Sequence, residues 1–160
     1  MKRATPLLAL ALAGCGSAPA IFSSSTHIEV REVGRSLYCN TPAEEAQMLL
    51  LPGAQAVVDW QAARGVALAG PESLTQGTYA VVETGVRPTG GYSLAIARSA
   101  VLRGERVTLL ATFFSPPAGS LRPQALTSPC VLVQLPPGRY AMAEVQDPSG
   151  SVRATTAEAQ

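Results

Sequence analysis

The sequence predicts a mainly β domain of the α+β class, an antiparallel β-sheet or sandwich-like fold with one N-terminal helix. Its 160 residues suit a single domain, and 47% hydrophobic with 14% charged residues supply enough apolar surface for a core. From residue 79 onward, apolar residues recur at every second position in five segments, which is the period of a half-buried strand. The 14 glycines and 13 prolines predict many turns between such segments.

Both ends of the chain are predicted to lie outside this domain. Lys2 and Arg3, followed by a short apolar run, are typical of a bacterial export signal, which we place at residues 1–14. Residues 12–15 resemble a lipobox, which implies cleavage before Cys15 and lipid on that residue. An ordinary signal sequence with a chance cysteine is the alternative. The resemblance implies a lipid-anchored protein of the bacterial cell envelope, at the periplasmic side of the outer membrane or at the cell surface.

The other terminal segments and the charge balance narrow the classes of function. Residues 15–25 are small and polar, as in a flexible tether, and residues 147–160 follow a turn signal and predict a disordered tail, so the domain covers residues 26–146. Without Lys2 and Arg3 the chain holds 10 basic and 11 acidic side chains, and its arginines are scattered. Nucleic acid is not an expected partner, because phosphate binding needs clustered positive charge.

The secondary-structure elements are predicted from local patterns. Residues 27–33 alternate as a strand with Ile28 and Val30 on the buried face. A helix is predicted at residues 42–51, where a capping-box pattern precedes apolar residues at helical spacing. A short strand at residues 66–69 is a further expectation. The five alternating segments are residues 79–84, 92–97, 107–114, 131–135 and 140–145, and we expect them to form an antiparallel meander.

An antiparallel meander fixes which loops share an end of the sheet. Residues 85–91, the long loop at residues 115–129 and the chain after residue 145 are expected at one end. Residues 99–105 and 136–138 are expected at the other. A loop of 15 residues exceeds the usual hairpin connection, so residues 115–129 are a candidate functional loop.

One predicted turn has a distinctive sequence. It reads Gly85-Val86-Arg87-Pro88-Thr89-Gly90-Gly91-Tyr92 and resembles the central motif of the PrcB protease-complex-subunit family, in its C-terminal domain. Elements at residues 58–60, 114–119 and 127–136 agree with that family in order, so the resemblance spans about residues 57–136. It implies a β-rich cell-envelope protein that binds and stabilises a protein partner, a protease, without cutting proteins itself.

The resemblance assigns partner binding to the two loops. The expected partner-binding residues are Arg87, Pro88, Thr89, Gly90, Gly91, Tyr92, Pro116, Pro117, Ser128 and Pro129. A plain hairpin turn is the alternative for the motif, because turn chemistry alone favours proline followed by glycines. Arg87 is the residue that a turn needs least, and its guanidinium either binds a partner carboxylate or is solvated.

A second similarity concerns residues 87–92 alone. They differ at two of six positions from the inhibitory loop of chagasin-type inhibitors of cysteine proteases. This similarity implies protease inhibition as the alternative function. The other two inhibitory loops of that family find no convincing counterpart in the sequence.

The cysteines predict one covalent cross-link. Lipid on Cys15 leaves Cys39 and Cys130 as an even pair in an oxidising compartment, which favours a disulfide between them. Two buried unpaired thiols are the alternative.

The sequence offers no familiar catalytic constellation. His27 is the one histidine, so a Ser/His/Asp or Cys/His apparatus would have to form around it. The zinc-deaminase pattern that His27 and Glu29 begin fails at Val133, where a cysteine is required. We therefore expect no enzyme, no cofactor and no metal site, and we rank a hydrolase that uses Ser or Thr without histidine last.

Overall fold

The computed structural model describes residues 24–157, which form two packed β-sheets with a helix on one outer face. The strands are β1 (Ser25–Glu29), β2 (Arg31–Ser36), β3 (Gln47–Pro52), β4 (Thr78–Glu83), β5 (Ser93–Arg103), β6 (Arg106–Phe114), β7 (Cys130–Gln134), β8 (Met142–Gln146) and β9 (Val152–Ala157). The helix α1 covers Ala54–Arg64, and a 3-10 turn covers Pro71–Ser73. The predicted mainly β class is confirmed. The predicted signal and lipid site at residues 1–15 lie outside the described residues.

The strands are divided between two sheets and do not form one meander. A five-stranded sheet has the order β1-β5-β6-β8-β9, and a four-stranded sheet has the order β2-β7-β4-β3. All neighbouring strands are antiparallel except β6 and β8, which run parallel. The expected connections are wrong because the chain leaves β6 for the other sheet, forms β7 there and then returns. Two successive crossings leave β8 running in the same direction as β6.

The predicted strand at residues 27–33 is also divided between the sheets. The chain turns at Val30, which is buried, so β1 joins one sheet and β2 the other. The Val30 N–H group donates to the Arg98 carbonyl oxygen at 2.8 Å. The predicted face is correct for the first part of the segment, because Ile28 packs on the core while His27 and Glu29 are exposed.

The main hydrophobic core lies between the two sheets. Alternate residues of both sheets point into it, as in other sandwich folds. Its buried members are Val30, Met48, Ala80, Val82, Leu94, Ala100, Val107, Leu109, Ala111, Val131, Val133, Leu135, Tyr140, Ala143 and Val145.

A second cluster packs on the opposite face of the four-stranded sheet. The helix α1 contributes Val57 and Trp60, while Tyr79, Val81 and Leu132 project from β4 and β7. The two central strands are therefore buried on both faces, which explains their almost unbroken apolar sequences.

The predicted helix at residues 42–51 is wrong. Residues Gln47–Pro52 form β3, which pairs with β4 along its whole length, and the helix begins only at Ala54. Cross-strand pairing prevails over the local capping pattern because successive leucines of β3 bury apolar surface on both faces of the sheet. Leu50 packs on the main core and Leu51 on the second cluster.

Residues 66–69 form no strand, contrary to the expectation. Gly65 ends α1 in the left-handed conformation with φ of 63°. The Gln61 side chain then holds the chain, since its Oε1 accepts the Leu68 and Ala69 N–H groups at 2.6 and 2.9 Å and its Nε2 donates to the Ala69 carbonyl at 3.1 Å. This amide supplies bonds that a neighbouring strand would otherwise provide.

The predicted disordered tail at residues 147–160 is wrong for its described part. Residues Val152–Ala157 form β9, which pairs antiparallel with β8. The turn signal that ends the apolar alternation is a hairpin turn: Asp147 Oδ1 accepts the Ser149 and Ser151 N–H groups at 3.0 and 3.1 Å. Ala154 then packs against the core. The domain therefore extends beyond residue 146.

The disulfide between Cys39 and Cys130 is confirmed. Both cysteines are buried in the second cluster, with Cα atoms 6.0 Å apart. The bond ties the segment between β2 and β3 to the first residue of β7. Its sequence separation of 91 residues corresponds to a loop-closure contribution of about 4 kcal/mol to the free energy of unfolding.

Removal of both cysteines is expected to destabilise the fold by about this amount. The double substitution Cys39→Ala and Cys130→Ala should lower the free energy of unfolding by about 4 kcal/mol, because the unfolded chain regains its freedom. Urea unfolding of the purified protein measures this change. Reduced wild-type protein is the control and should resemble the variant, whereas equal stability of the oxidised wild type and the variant would contradict the prediction.

Candidate functional site

The two predicted functional loops leave the four-stranded sheet at the same end. β4 and β7 are antiparallel neighbours, with Glu83 opposite Cys130, so the loop after β4 and the loop before β7 start side by side. The loops are joined directly, since the Arg87 N–H donates to the Thr127 carbonyl at 2.7 Å and the Thr127 N–H donates to the Arg87 carbonyl at 2.9 Å. This part of the predicted loop arrangement is confirmed.

The other predicted loop positions are confirmed in part. At the opposite end, Glu105 forms an ion pair with Arg139 at 3.3 Å, and the Glu105 carbonyl accepts the Ala141 N–H at 2.9 Å. The chain after β8 leaves the five-stranded sheet in the direction in which β6 ends, because the two strands are parallel. Gln146 lies opposite Leu110, so β8 ends four residues before β6 does.

The glycines of the motif allow other segments of the chain to approach closely. Gly85 has φ of 84°, and a Cβ atom there would clash with the Glu44 carbonyl oxygen. Gly91 has φ of 92°, and a Cβ atom there would lie 3.1 Å from Pro116 Cβ and 3.2 Å from Arg122 Nε. The motif is therefore more than a hairpin turn, because it packs one loop against the other.

Arg87 is largely bound within its own loop. Its Nη2 donates to the Thr84 carbonyl oxygen, and its guanidinium carbon lies 5.8 Å from the centre of the Tyr92 ring. Thr89 is held by the long loop, since its carbonyl accepts the Thr127 hydroxyl at 3.0 Å. The loop is preorganised by these contacts, and Pro88 is exposed at its tip.

Two predicted partner-binding residues are interior. Ser128 and Pro129 are buried. Ser128 Oγ accepts the N–H groups of Cys39 and Asn40, both at 2.9 Å, so it holds the segment between β2 and β3. These two residues support the loops and do not offer side chains to a partner, whereas Pro117 is exposed and Pro116 half-buried.

Exposed apolar side chains lie in the long loop and in the segments next to it. Leu121 is 99% exposed and Leu126 is 69% exposed, both in the long loop. Three further apolar side chains are about half exposed: Phe114, which directly precedes the long loop, and Leu37 and Tyr38, which follow β2. The Ser128 N–H donates to the Leu37 carbonyl at 2.9 Å, which places the end of β2 beside the long loop. We call Leu37, Tyr38, Phe114, Leu121 and Leu126 the loop patch.

Sequence reasoning missed the loop patch. Attention to motif residues favoured prolines and glycines, whose conformational roles are easy to recognise. Leu121 and Leu126 carried a usable signal, because large apolar residues in a proline-rich loop without strand alternation have no evident core position.

A buried carboxyl group lies beneath the loops. Glu83, at the end of β4, is completely buried, and its Oε2 lies 3.4 Å from Arg64 Nη2. Among the described residues, its Oε1 and the Trp60 indole N–H have no hydrogen-bond partner. Burial raises the pKa of Glu83 above its ordinary value, although the charge of Arg64 and a hydrogen bond from Thr41 oppose this shift.

The described part of the chain offers no group of side chains that could hold a metal ion. Within residues 24–157, no group of three or more His, Cys, Asp or Glu side chains could hold a metal ion. His27 is exposed on β1, opposite Val101 in the register with β5. Two joined loops with exposed apolar side chains, at one end of a β-sandwich, are the candidate site.

Comparison with known families identifies one segment of the chain. Residues 78–136 match the family described as PrcB C-terminal. The match begins at the first residue of β4, ends just after β7 and includes both loops, so it covers 59 of the 160 residues. The resemblance to this family is confirmed for that segment. Neither the curated proteins nor the solved structures contain a significant match to the chain.

The match does not extend to every expected similarity. Residues 58–60 lie outside it, on α1. It gives no support to a chagasin-type domain, so that similarity remains a prediction.

Glu83 is expected to make stability depend on pH. The pKa of Glu83 is raised in the folded state. Its contribution to the free energy of unfolding is therefore fully present when the pH is below the ordinary pKa of 4.5, and it is lost as the pH rises through the raised pKa. The substitution Glu83→Gln should therefore remove part of the fall in the free energy of unfolding above that pH. Urea titrations across the acidic and neutral range measure it.

The matched control is Glu29→Gln, which removes the same charge at an exposed position of β1. Its pH profile should follow that of the wild type. A Glu83→Gln profile parallel to the wild type would show that the buried carboxyl group does not titrate in this range.

Proposed function

We propose that this protein is an accessory subunit of the bacterial cell envelope that binds and stabilises a protein partner, a protease. The observation that carries the proposal is that the PrcB C-terminal match covers the segment that builds the joined loops and includes three of the five loop-patch residues. The protein itself would not cut substrates.

The loop patch has the properties of a binding surface. Exposed apolar side chains favour burial by a partner, and a few such residues commonly dominate the binding free energy. Leu121 is the clearest anchor because almost none of its surface is covered by its own chain. Arg122 adds a positive charge next to it.

The loops beneath the patch are held in place, which favours binding by reducing the entropy lost on association. The paired bonds between Arg87 and Thr127 join the loops, and Ser128 and the disulfide fasten the long loop to the domain. The inhibitor alternative has no comparable support, since Arg87 is engaged by Thr84 and Tyr92 of its own chain.

The lipobox resemblance supports the second part of the proposal, an anchor at Cys15. Several acyl chains on one residue give stable membrane attachment, because each buried CH₂ group contributes about 0.8 kcal/mol. No helix within residues 24–157 is long and apolar enough to cross a membrane. We place the protein at the outer membrane, facing the periplasm or the cell surface.

Charges placed in the loop patch are expected to release the partner. Crosslinking in native cells, followed by purification and mass spectrometry, should recover a protease with the wild type. The double substitution Leu121→Asp and Leu126→Asp should reduce that recovery about tenfold or more, because two apolar anchors are replaced by charges.

The control substitution is Val152→Asp, which places the same charge at an exposed apolar residue of β9, outside the loops. It should leave recovery unchanged. If the wild type recovers no protein partner, the proposed function is overturned. If the loop-patch variant recovers the partner as well as the wild type does, the proposed surface is overturned.

Substitution of the lipid-bearing cysteine is expected to detach the protein from the membrane. Cys15→Ser should abolish incorporation of a fatty-acid analogue and move the protein from the membrane fraction to the soluble fraction. Cys39→Ser and Cys130→Ser, tested together, are the control and should keep the label. Labelling that persists in Cys15→Ser would refute the proposed anchor.

A further inference from the structure

Half of β5 lacks a neighbouring strand on one edge. β5 has β6 beside it on one side over most of its length, but β1 covers only residues 99–103 on the other side. The chain leaves that edge at Val30, where it crosses to the other sheet. Residues 93–98 of β5 therefore form an uncovered edge at the end of the sheet that carries the Arg87 loop.

The backbone groups of this edge face outward. The Arg98 carbonyl accepts the Val30 N–H at 2.8 Å and the Leu94 carbonyl accepts Arg35 Nη1 at 3.4 Å, so both peptides point to the uncovered side. Period-two alternation gives Ile96 the same direction. Among the described residues, the Leu94 N–H and both backbone groups of Ile96 have no strand partner there.

Two cavities lie along this edge, between β5 and the edge strand β2. The smaller, of about 190 Å³, is lined by apolar residues that include Leu37, Leu94 and Val131. The larger, of about 820 Å³, is lined on its apolar side by Ile96 and Val133. We call this gap between residues 93–98 and β2 the seam.

We propose that the partner adds an extended segment to the seam as a further strand beside β5. The free N–H and C=O groups would bind its backbone, and its side chains at alternate positions would enter the two cavities. Positive charge selects its composition: Arg31, Arg35 and Arg98 line the two cavities with Glu29 and Glu32, and Arg122 lies beside Gly91 at the loop end. Arg35 is paired with Glu32 at 2.5 Å, which leaves three arginines against Glu29. The segment is therefore acidic and apolar in alternation.

Other occupants fit the seam less well. The chain that precedes β1 enters at Ser25, opposite Arg103, which is the end of β5 remote from residue 93. A second copy of this chain would bring one arginine-lined seam against another, and like charges in contact oppose association.

This inference rests on the proposed function only in that the occupant belongs to the protein partner.

The probe is a synthetic acidic peptide that alternates glutamate and valine and has the length of one strand, about seven residues. It is added to the purified full chain, and amide hydrogen exchange is followed by nuclear magnetic resonance. The exchange of the Leu94 and Ile96 amides should slow about tenfold when the peptide is present at roughly ten times its dissociation constant.

Two controls test whether the backbone of β5 is used. The same peptide with alternate N-methylated peptide bonds, which cannot pair with a strand edge, should give no protection. Ile96→Pro removes the outward N–H without breaking the ladder to β6, whereas Ile96→Ala removes the side chain and keeps that group. Binding should be lost in Ile96→Pro and only weakened in Ile96→Ala.

The outcomes separate this inference from the proposed function. Absence of protection at millimolar peptide, equal binding of the N-methylated peptide, or protection through pairing of two copies of the chain would each overturn the seam. If the protease is recovered equally with wild type and a folded Ile96→Pro variant, the seam fails while the proposed function stands. If no partner is recovered although the peptide binds, the proposed function fails and the seam stands. If Ile96→Pro does not fold, the N-methylated peptide still decides.

Discussion

The rest of the structure depends on the burial of β4 and β7 on both faces. These strands carry nearly continuous apolar sequences, so neither face can be left to water. The five-stranded sheet covers one face. The other face is covered by α1 and by the segment around Cys39, which the disulfide fastens to the beginning of β7. The layers of the domain follow from this requirement.

The same constraint positions the candidate site. Because β4 and β7 are antiparallel, the end of one and the start of the other meet, and both loops begin there. Polar groups at this end link the layers: Asn40 Nδ2 donates to the Arg64 carbonyl at 2.8 Å, and Arg64 Nη1 donates to the Asn40 carbonyl at 2.9 Å. Arg64 also faces the buried carboxylate of Glu83. The loops therefore begin at an end of the sheet where hydrogen bonds and an ion pair join the layers of the domain.

The sequence predicted most reliably those elements whose own pattern decides their structure. β4 to β8 each have alternating or continuous apolar residues between turn signals, and their bounds were predicted within two residues, except at the end of β5. That strand runs to Arg103, whereas the predicted segment ends at residue 97 and a loop was predicted from residue 99. β3 and β9 were missed for a common reason. Their local sequences favour a helix start or an unstructured tail, and only pairing with β4 and β8, which no local window contains, makes them strands. The crossings between sheets were missed because the alternation of apolar residues along a strand does not determine which strand pairs with it.

The site divides along a similar line. The motif that made the segment recognisable consists of residues with structural duties: Gly85 and Gly91 admit close packing, and Arg87 pairs with Thr127. Such duties demand particular residue types, so they produce a distinctive sequence. Leu121 and Leu126 need only be apolar and exposed, which leaves no comparable pattern. The recognisable motif therefore builds the scaffold of the candidate site, whereas the exposed apolar side chains belong to neighbouring residues that sequence resemblance does not single out.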